Sequence, residues 1–370
     1  MLPDSDIQRI ARLTPLADVL ASFDLAIKPV APREEMLAKA TGLALAADII
    51  ATSGHPSSAL ALRDGFAVRS EQTLDASSYA PAMLANLPVR VDTGEPLPEG
   101  ADAVAPIDAV QLRGASAEVL SIVAPGEGVL SPDTDAAAGL KLRLGGAALR
   151  RIDVALLAAF GVERVMVRQP RLRVVCEGSG GVARNAAALI ASAIGAESGT
   201  AITGDITLEA ALNDESADAV VAVGGTGSGR NDNSVRTLAR IGKVAYHGIA
   251  ITPGETTAIG SAGSRPVLLF PGRADAALAG WLTIGRRMLA RLAFRLIEEQ
   301  PFAAELAHKI ASPLGLAEIV PVRRRLGRVE PVASGYLSMQ SLIKAEGWIL
   351  VPADSEGYPE GARVIVRPWP

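Results

Sequence analysis

Residues 219–242 form a continuous pattern that predicts a buried strand, a glycine-rich loop and the start of a helix. The run AVVAV (219–223) is short, apolar and rich in valine, as is typical of a strand covered on both faces. The loop GGTGSG (224–229) carries four glycines in six residues, and three good N-cap residues (232–234) follow it. This arrangement directs free backbone N–H groups and a positive helix end toward a phosphate or carboxylate. The alternative is a flexible connection without a ligand.

Strands and helices alternate along the middle of the chain. The alternation predicts a mostly parallel sheet with helices on both faces, which binds ligands at the carboxyl ends of its strands. The strand-like segments are RLRVVC, TAIT, AVVAV, VAYHGIAI and PVLLF. The predicted helices lie over 185–194, near Leu208, after Asp232, and from Ala274 to about Glu298.

The flanking segments predict β structure, so the fold class is α/β plus all-β in several domains, as 370 residues allow. Short β-like runs between Pro/Gly turns indicate an inserted β domain over 51–124 and a C-terminal β-barrel-like domain over 301–370. The central α/β domain covers 169–300. A discontinuous helical domain comprises 1–50 and 125–168, with helices predicted after Thr14-Pro15, from Arg33 to Gly42, and over Arg151–Phe160.

Bulk composition excludes several classes of protein. The net charge of −4 gives no indication of a nucleic-acid or membrane surface. The only cysteine, Cys176, excludes an internal disulfide, and the three histidines show no metal-ligand spacing. The first residues, MLPDSDIQRI, lack the basic start and apolar core of a signal peptide, and no apolar stretch is long enough to span a bilayer. We therefore expect a cytoplasmic protein.

A second glycine loop, EGSGGVA, has the spacing of a dinucleotide-binding fingerprint at Gly178, Gly180 and Ala183, with Glu197 19 residues beyond the first glycine. Asn185 is a predicted N-cap that would start the helix beyond the loop, and Glu197 precedes the next strand instead of ending it. An NAD-binding enzyme that uses this loop remains an alternative. No glycine loop ends in G-K-[ST], and no G-x-S-x-G elbow occurs.

Two further Pro-Gly turns, ITPGE (251–255) and FPGR (270–273), each follow an apolar run that we assign to the same sheet. Because the ends of parallel strands meet at one edge, we expect these turns and the Gly224 loop to form a backbone-lined cleft.

Six segments, in order along nearly the whole chain, resemble motifs of the molybdopterin molybdenumtransferase family, which includes MoeA and the gephyrin E domain. The segments are DGFAV (64–68), TGEPLPEGADAV (93–104), VGGTGSGRND (223–232), PGE (253–255), FPGR (270–273) and SGYLSMQSL (334–342).

The resemblance implies four subdomains and an elongated homodimer. The ligand cleft would lie between the α/β domain of one subunit and the inserted β domain of the other. The implied reaction inserts molybdate into adenylylated molybdopterin with a divalent cation such as Mg²⁺ and releases AMP. Other cofactor-biosynthesis proteins or apo-molybdoenzymes are further implied partners. Such chemistry needs N–H groups for phosphate, carboxylates for the metal and cations for molybdate.

The resemblance also implies the site residues. The implied catalytic residues are Asp64, Thr93, Asp135 and Asp232, of which Asp232 also binds the metal. The implied ligand-binding residues are Gly224, Gly225, Ser228, Gly229, Pro253, Gly254, Pro271, Gly272, Arg273 and Ser334. The structural alternatives are a helix N-cap for Asp232, a turn residue for Asp64 and a strand-end hydroxyl for Thr93. We interpret His247 as a strand residue beside the cleft.

The chain departs from the family pattern at charged positions. Thr252, Glu255 and Gly180 stand where the family has Lys, Lys and Glu, and residues 129–131 replace expected arginines. A glutamate in place of a lysine near an oxyanion would turn attraction into repulsion of about 4 kcal/mol at ~4 Å. Arg273 would compensate in part. The sequence therefore predicts a divergent member, with a protein that binds or delivers the finished cofactor as an alternative.

Overall fold

The computed structural model describes residues 8–178, 180–296 and 301–369. The chain divides into two units. The first comprises 1–47, 145–155 and 163–370, and the second comprises 48–144 and 156–162. The finer division into four domains stays a prediction.

A six-stranded mixed sheet forms the centre of the first unit. Its strand order is Thr200–Ile202, Arg171–Cys176, Ala219–Val223, Arg265–Phe270, Ala258–Ala262, Lys243–His247. The first four strands run parallel, and the last two pair antiparallel. The predicted mostly parallel sheet is confirmed. The Ala258–Ala262 strand was missing from the prediction.

Helices cover both faces of this sheet. They are Leu16–Ala26, Gly181–Ala196, Leu208–Asn213, Ser234–Ile241, and Ala274–Gly280 continued by a π-helical turn, Trp281–Gly285, into Arg286–Ala293. Val221 and Val223 pack on one face, and Val220 and Ala222 on the other, all without exposed surface. Burial on both faces explains why this strand is apolar throughout. The last of these helices ends at Ala293, where Phe294 has a left-handed φ of +50°, so the predicted helix to about Glu298 is too long. Glu298 itself lies outside the described residues.

A second sheet contains the C-terminal strands. Its order is Ile251–Thr252, Ala317–Arg325, Gly347–Val351, Arg363–Pro368, Phe302–Glu305, with Arg328–Pro331 paired to Ala317–Arg325. A short pair, Ile310–Ala311 and Gly357–Tyr358, and the helix Met339–Lys344 complete the region. The prediction that the ITPGE turn follows a strand of the central sheet is wrong, because Ile251–Thr252 pairs with Ala317–Glu318 in this second sheet.

The helical lead-in is only partly as predicted. The Leu16–Ala26 and Arg151–Ala159 helices are confirmed, although Pro15 and not Thr14 holds the N-cap position of the first. The helix predicted from Arg33 to Gly42 is wrong. Arg33–Met36 is a strand paired with residues 164–167, and a 3₁₀ turn, Leu37–Lys39, follows it. Ala44–Leu45 pairs with the same partner strand.

The second unit is built from short strands, as predicted for its inserted part. They are Ile49–Ile50, Leu60–Ala61, Gly65–Val68, Ala82–Met83, Val89–Val91, Ala103–Pro106, Val110–Arg113, Ser116–Val119, Val129–Leu130 and Lys141–Arg143. Gly65–Val68 lies between Val89–Val91 and Ala103–Pro106 in one antiparallel sheet. Within the described ranges of the whole chain, no helix has both the length and the apolar character that crossing a bilayer requires.

Candidate functional site

Three parallel strands end side by side at one edge of the central sheet. Val223 lies between Cys176 and Phe270 in register, and the Gly224 N–H donates to Phe270 O at 2.8 Å. Gly272 is so close that a Cβ there would lie 3.5 Å from Gly224 Cα. The loops after these strands therefore meet, as predicted for the Gly224 and Pro271 turns.

Two glycines start the central loop because no other residue fits. Gly224 has φ +108°, and a Cβ on it would lie 1.9 Å from Glu177 O. Gly225 has φ +71°, and its Cβ would lie 2.2 Å from Ser234 Oγ. Positive φ is unfavourable for residues with a Cβ, and a Cβ would meet the Glu177 backbone at Gly224 and displace the Ser234 hydroxyl at Gly225. The backbone path of the loop is therefore fixed at its start.

The carbonyl groups of the loop are held from the protein side. Ser234 donates its hydroxyl to Gly224 O at 2.8 Å and its N–H to Gly225 O at 3.0 Å. Gln8, from the N-terminal segment, donates Nε2 to both Gly225 O and Gly227 O, each at 3.0 Å. These bonds orient three carbonyls of the loop.

His247 orients a fourth carbonyl. Its Nε2 lies 3.0 Å from Thr226 O, and since a carbonyl oxygen only accepts, this nitrogen is the donor. The Thr226 hydroxyl in turn lies 2.9 Å from the hydroxyl of Thr256. His247 thus lies in the edge strand as predicted, and it supports the loop.

The N–H groups of residues 225–228 point away from these contacts. In a trans peptide the C=O of one residue and the N–H of the next point in opposite directions. The carbonyls of residues 224–227 all face the protein, and in the described part of the chain these four N–H groups donate to no other group. Ser228 is exposed. Consecutive unpaired N–H groups of this kind form an anion-binding concavity.

The helix end after the loop is not open, contrary to the prediction. Gln8 Oε1 accepts the N–H groups of Val235 and Arg236 at 2.9 and 3.1 Å, so a buried side chain fills this position. Asp232 does not cap the helix, which begins at Ser234. The Asp232 carboxylate accepts the Gly229 N–H at 2.9 Å, which leaves Gly229 without a free donor for a ligand.

The Pro253-Gly254 turn is buried. A Cβ on Gly254 would lie 3.1 Å from Ile251 Cδ1 and 3.2 Å from Ala276 O, so the turn packs against the Ala274 helix. Glu255 Oε2 accepts the Gly254 N–H at 3.1 Å, which holds this carboxylate against its own backbone. Thr256, which follows Glu255, contacts the glycine loop, because its hydroxyl lies 2.9 Å from the hydroxyl of Thr226.

The Pro271-Gly272 turn continues into a charged contact. Arg273 donates to the buried carboxylate of Asp275 at 3.0 and 2.6 Å, and lies 5.2 Å from the centre of the Tyr336 ring. The hydrogen bonds to Asp275 raise the pKa of Arg273. Asp275 also accepts the Leu337 N–H at 3.3 Å, which connects this turn to the SGYL segment. More than half of the Arg273 side chain stays exposed.

Ser334 belongs to the same segment and bonds to a buried glutamate. Its hydroxyl donates to Glu318 Oε1 at 2.7 Å, and the Gly335 N–H donates to the same oxygen at 2.8 Å. Glu318 is completely buried, and its Oε2 has no partner among the described residues. The structure thus gives Ser334 a role in holding its own turn.

Asp64, Thr93 and Asp135 lie in the second unit. Asp64 Oδ1 accepts the N–H and the hydroxyl of Thr93 at 2.8 and 2.9 Å, and the backbone hydrogen bond from Thr93 is the main reason that the pKa of Asp64 is lowered. Asp135 is exposed, and its N–H donates to His55 O at 3.0 Å. Asp64 and Thr93 therefore form a hydrogen-bonded pair. Within the described residues, neither of them forms a hydrogen bond with Asp135.

The dinucleotide-like loop differs from the prediction in one respect. The helix begins at Gly181, so Asn185 is not its N-cap, and the fingerprint glycines do precede a helix directly. Glu197, however, lies at the end of that helix and pairs with Arg286 at 2.8 Å and Arg295 at 4.0 Å. In a dinucleotide-binding site the carboxylate at this position would accept a hydrogen bond from the ribose hydroxyl, but here it is engaged in ion pairs. Ser179, within the loop, lies outside the described residues.

In the ranges that the structure describes, no three His, Cys, Asp or Glu side chains gather as metal ligands do. A magnesium ion is often held by one or two carboxylates together with substrate phosphates. Asp232 is the carboxylate beside the loop that fits this donor set, because only its Oδ2 accepts the Gly229 N–H.

Gln8 supports the glycine loop from outside it, and the sequence did not predict this role. It makes four hydrogen bonds to residues 217 to 228 positions away in sequence. No local pattern around Gln8 indicates such contacts, and the motifs that predicted the loop do not include its supports.

Comparison with known proteins assigns the chain to a family. Three family models match it: the MoeA N-terminal region (domain I and II) at 12–161, the "probable molybdopterin binding domain" at 185–291 and the MoeA C-terminal region (domain IV) at 303–369. A Methanocaldococcus jannaschii protein named for molybdopterin biosynthesis is 27% identical over 363 residues, covering 87% of this chain and 88% of its own.

Two further relatives have similar coverage. Molybdopterin molybdenumtransferase 2 of Mycobacterium tuberculosis is 26% identical over 383 residues, covering 89% of this chain and 93% of its own. The crystal structure of a molybdopterin biosynthesis MoeA protein from Pyrococcus horikoshii matches with a TM-score of 0.79 at 27% identity, over 97% of this chain and 100% of that one. The chain therefore belongs to the MoeA family, of which it is a divergent member.

Proposed function

We propose that this chain acts in molybdenum cofactor biosynthesis by binding adenylylated molybdopterin and inserting molybdate into it. The observation that carries the proposal is the set of four unpaired N–H groups of residues 225–228, which glycine geometry and carbonyl anchors direct away from the carbonyl contacts. These groups would bind a phosphate of the ligand.

The surrounding residues suggest the remaining roles. Asp232 would hold a magnesium ion together with a ligand phosphate, and the ion would neutralise negative charge there. Arg273, mostly exposed beside the Pro271 turn, would attract the molybdate oxyanion. Release of AMP would accompany insertion. We also propose that the protein is a homodimer, in which Asp64 and Thr93 of one subunit complete the site of the other.

A binding or delivery protein is the second candidate, and a specific observation favours it. The PGE turn presents no cation: Thr252 is buried beside Glu318 in the C-terminal sheet, and the carboxylate of Glu255 folds onto Gly254. A site with less positive charge would stabilise a developing oxyanion less, because electrostatic stabilisation is a large part of such catalysis. Such a protein would hold the pterin without turnover.

An insertion assay separates the two candidates. The purified protein is incubated with adenylylated molybdopterin, molybdate and Mg²⁺, and AMP release is measured. We expect turnover that falls on the order of a hundredfold or more in Asp232→Asn, because a catalytic metal contributes several kcal/mol. Asn keeps an acceptor for the Gly229 N–H, so the loop should fold. Asp205→Asn, at an exposed position, is the matched control.

Binding without turnover in the wild type would instead support the delivery protein. The absence of any pterin binding would contradict both candidates. Titration with NADH, followed by its fluorescence, tests the remaining dinucleotide alternative. The absence of binding at millimolar cofactor would eliminate that alternative.

A further inference from the structure

The side chain of Gln8 makes four hydrogen bonds with both of its polar atoms, although it lies far from the glycine loop in sequence. Nε2 donates to Gly225 O and Gly227 O, and Oε1 accepts from the N–H groups of Val235 and Arg236. The residue is 7% exposed. A buried amide with every contact satisfied has one defined orientation.

We propose that Gln8 is a positioning residue of the ligand loop. By holding the carbonyls of Gly225 and Gly227, it directs the N–H groups of Thr226 and Ser228 toward the ligand. Each of these N–H groups shares a peptide plane with one of the two carbonyls, so the direction of one fixes the other. The identity of the ligand in this inference rests on the proposed function. The effect of Gln8 on the loop does not depend on it.

An amide is the group that this position requires. The side chain meets two carbonyl oxygens on one side and two N–H groups on the other. A carboxylate would satisfy the helix N–H groups of Val235 and Arg236, but it would place a second oxygen against the carbonyls of Gly225 and Gly227. A hydrocarbon would satisfy neither. Glu and Met at position 8 therefore separate capping of the helix from orientation of the loop.

The first measurement uses the unliganded full chain and the backbone amide resonances of the loop. In Gln8→Glu we expect the resonances of Thr226 and Ser228 to move, while those of Val235 and Arg236 stay close to their wild-type positions at neutral pH. Lowering the pH should restore the Thr226 and Ser228 resonances in part, because a protonated carboxyl regains one donor. Gln340→Glu, at an exposed position, adds the same charge elsewhere. Unchanged Thr226 and Ser228 resonances in Gln8→Glu would overturn the proposal.

The second measurement is affinity for adenylylated molybdopterin by calorimetry, with uncharged variants. We expect Gln8→Met to bind about tenfold or more weakly, since two hydrogen bonds that orient the loop are lost. Thr207→Ala is the matched control, because it removes the hydroxyl that caps the neighbouring Leu208 helix and leaves the loop contacts intact. Equal affinity in Gln8→Met and Thr207→Ala would contradict positioning. If the wild type does not bind the pterin, the proposed function fails, and the amide resonances alone decide the role of Gln8.

Discussion

Gly224→Ala is expected to lower the free energy of unfolding by about 3–5 kcal/mol, from positive-φ strain and overpacking together. The new Cβ would lie 1.9 Å from Glu177 O, at φ +108°. The backbone of Glu177 cannot move away freely, because its N–H donates to Val223 O at 2.8 Å and its side chain accepts the Leu208 N–H at 3.0 Å. Denaturant unfolding measures the loss.

Gly263→Ala is the matched control for Gly224→Ala. Gly263 also has a positive φ of +60°, yet a Cβ there would have nothing within 4 Å. Only the conformational cost of about 1–2 kcal/mol should remain. Similar losses in the two variants would contradict the crowding at the strand end on which the loop geometry depends.

Trp281→Ala is expected to cost about 3–5 kcal/mol, the range for removal of a large buried aromatic side chain. Trp281 has no exposed surface and belongs to the core between the central sheet and the helix that follows the Pro271 turn. The same unfolding experiment measures this loss, and the cavity should lower the stability of the whole first unit.

Trp281→Phe tests how the loss of stability depends on the volume removed from this core. Trp281 Nε1 has no hydrogen-bond partner among the described residues, so phenylalanine removes volume and an unsatisfied donor but no bond. We expect Trp281→Phe to lose clearly less than Trp281→Ala. Equal losses in the two variants would contradict the expectation that the size of the cavity sets the loss of stability.

The sequence was sufficient where contacts are local. The strand at 219–223, the glycine loop and a helix that stops before Gly242 were predicted because periodicity and turn residues are properties of short segments. The sheet edge as a meeting point of the loops after Val223 and Phe270 follows from parallel topology.

Non-local pairing accounts for the errors. Arg33–Met36 is a strand because residues 164–167 pair with it, and the local sequence from which a helix was predicted carries no information about that partner. Likewise, Ile251–Thr252 joins the C-terminal sheet through Ala317–Glu318. The closure of the helix end by Gln8 depends on contacts across more than 200 residues, which no motif in a single sequence predicts.

The central claim is that the N–H groups of residues 225–228 bind the anionic part of the ligand, and one titration tests it most directly. Adenylylated molybdopterin is added to the uniformly ¹⁵N-labelled wild type while the backbone amide resonances are followed. We predict that the resonances of these four residues shift together and saturate at one ligand concentration, with Gly263 unchanged. Saturable binding that leaves all four resonances in place would contradict the account.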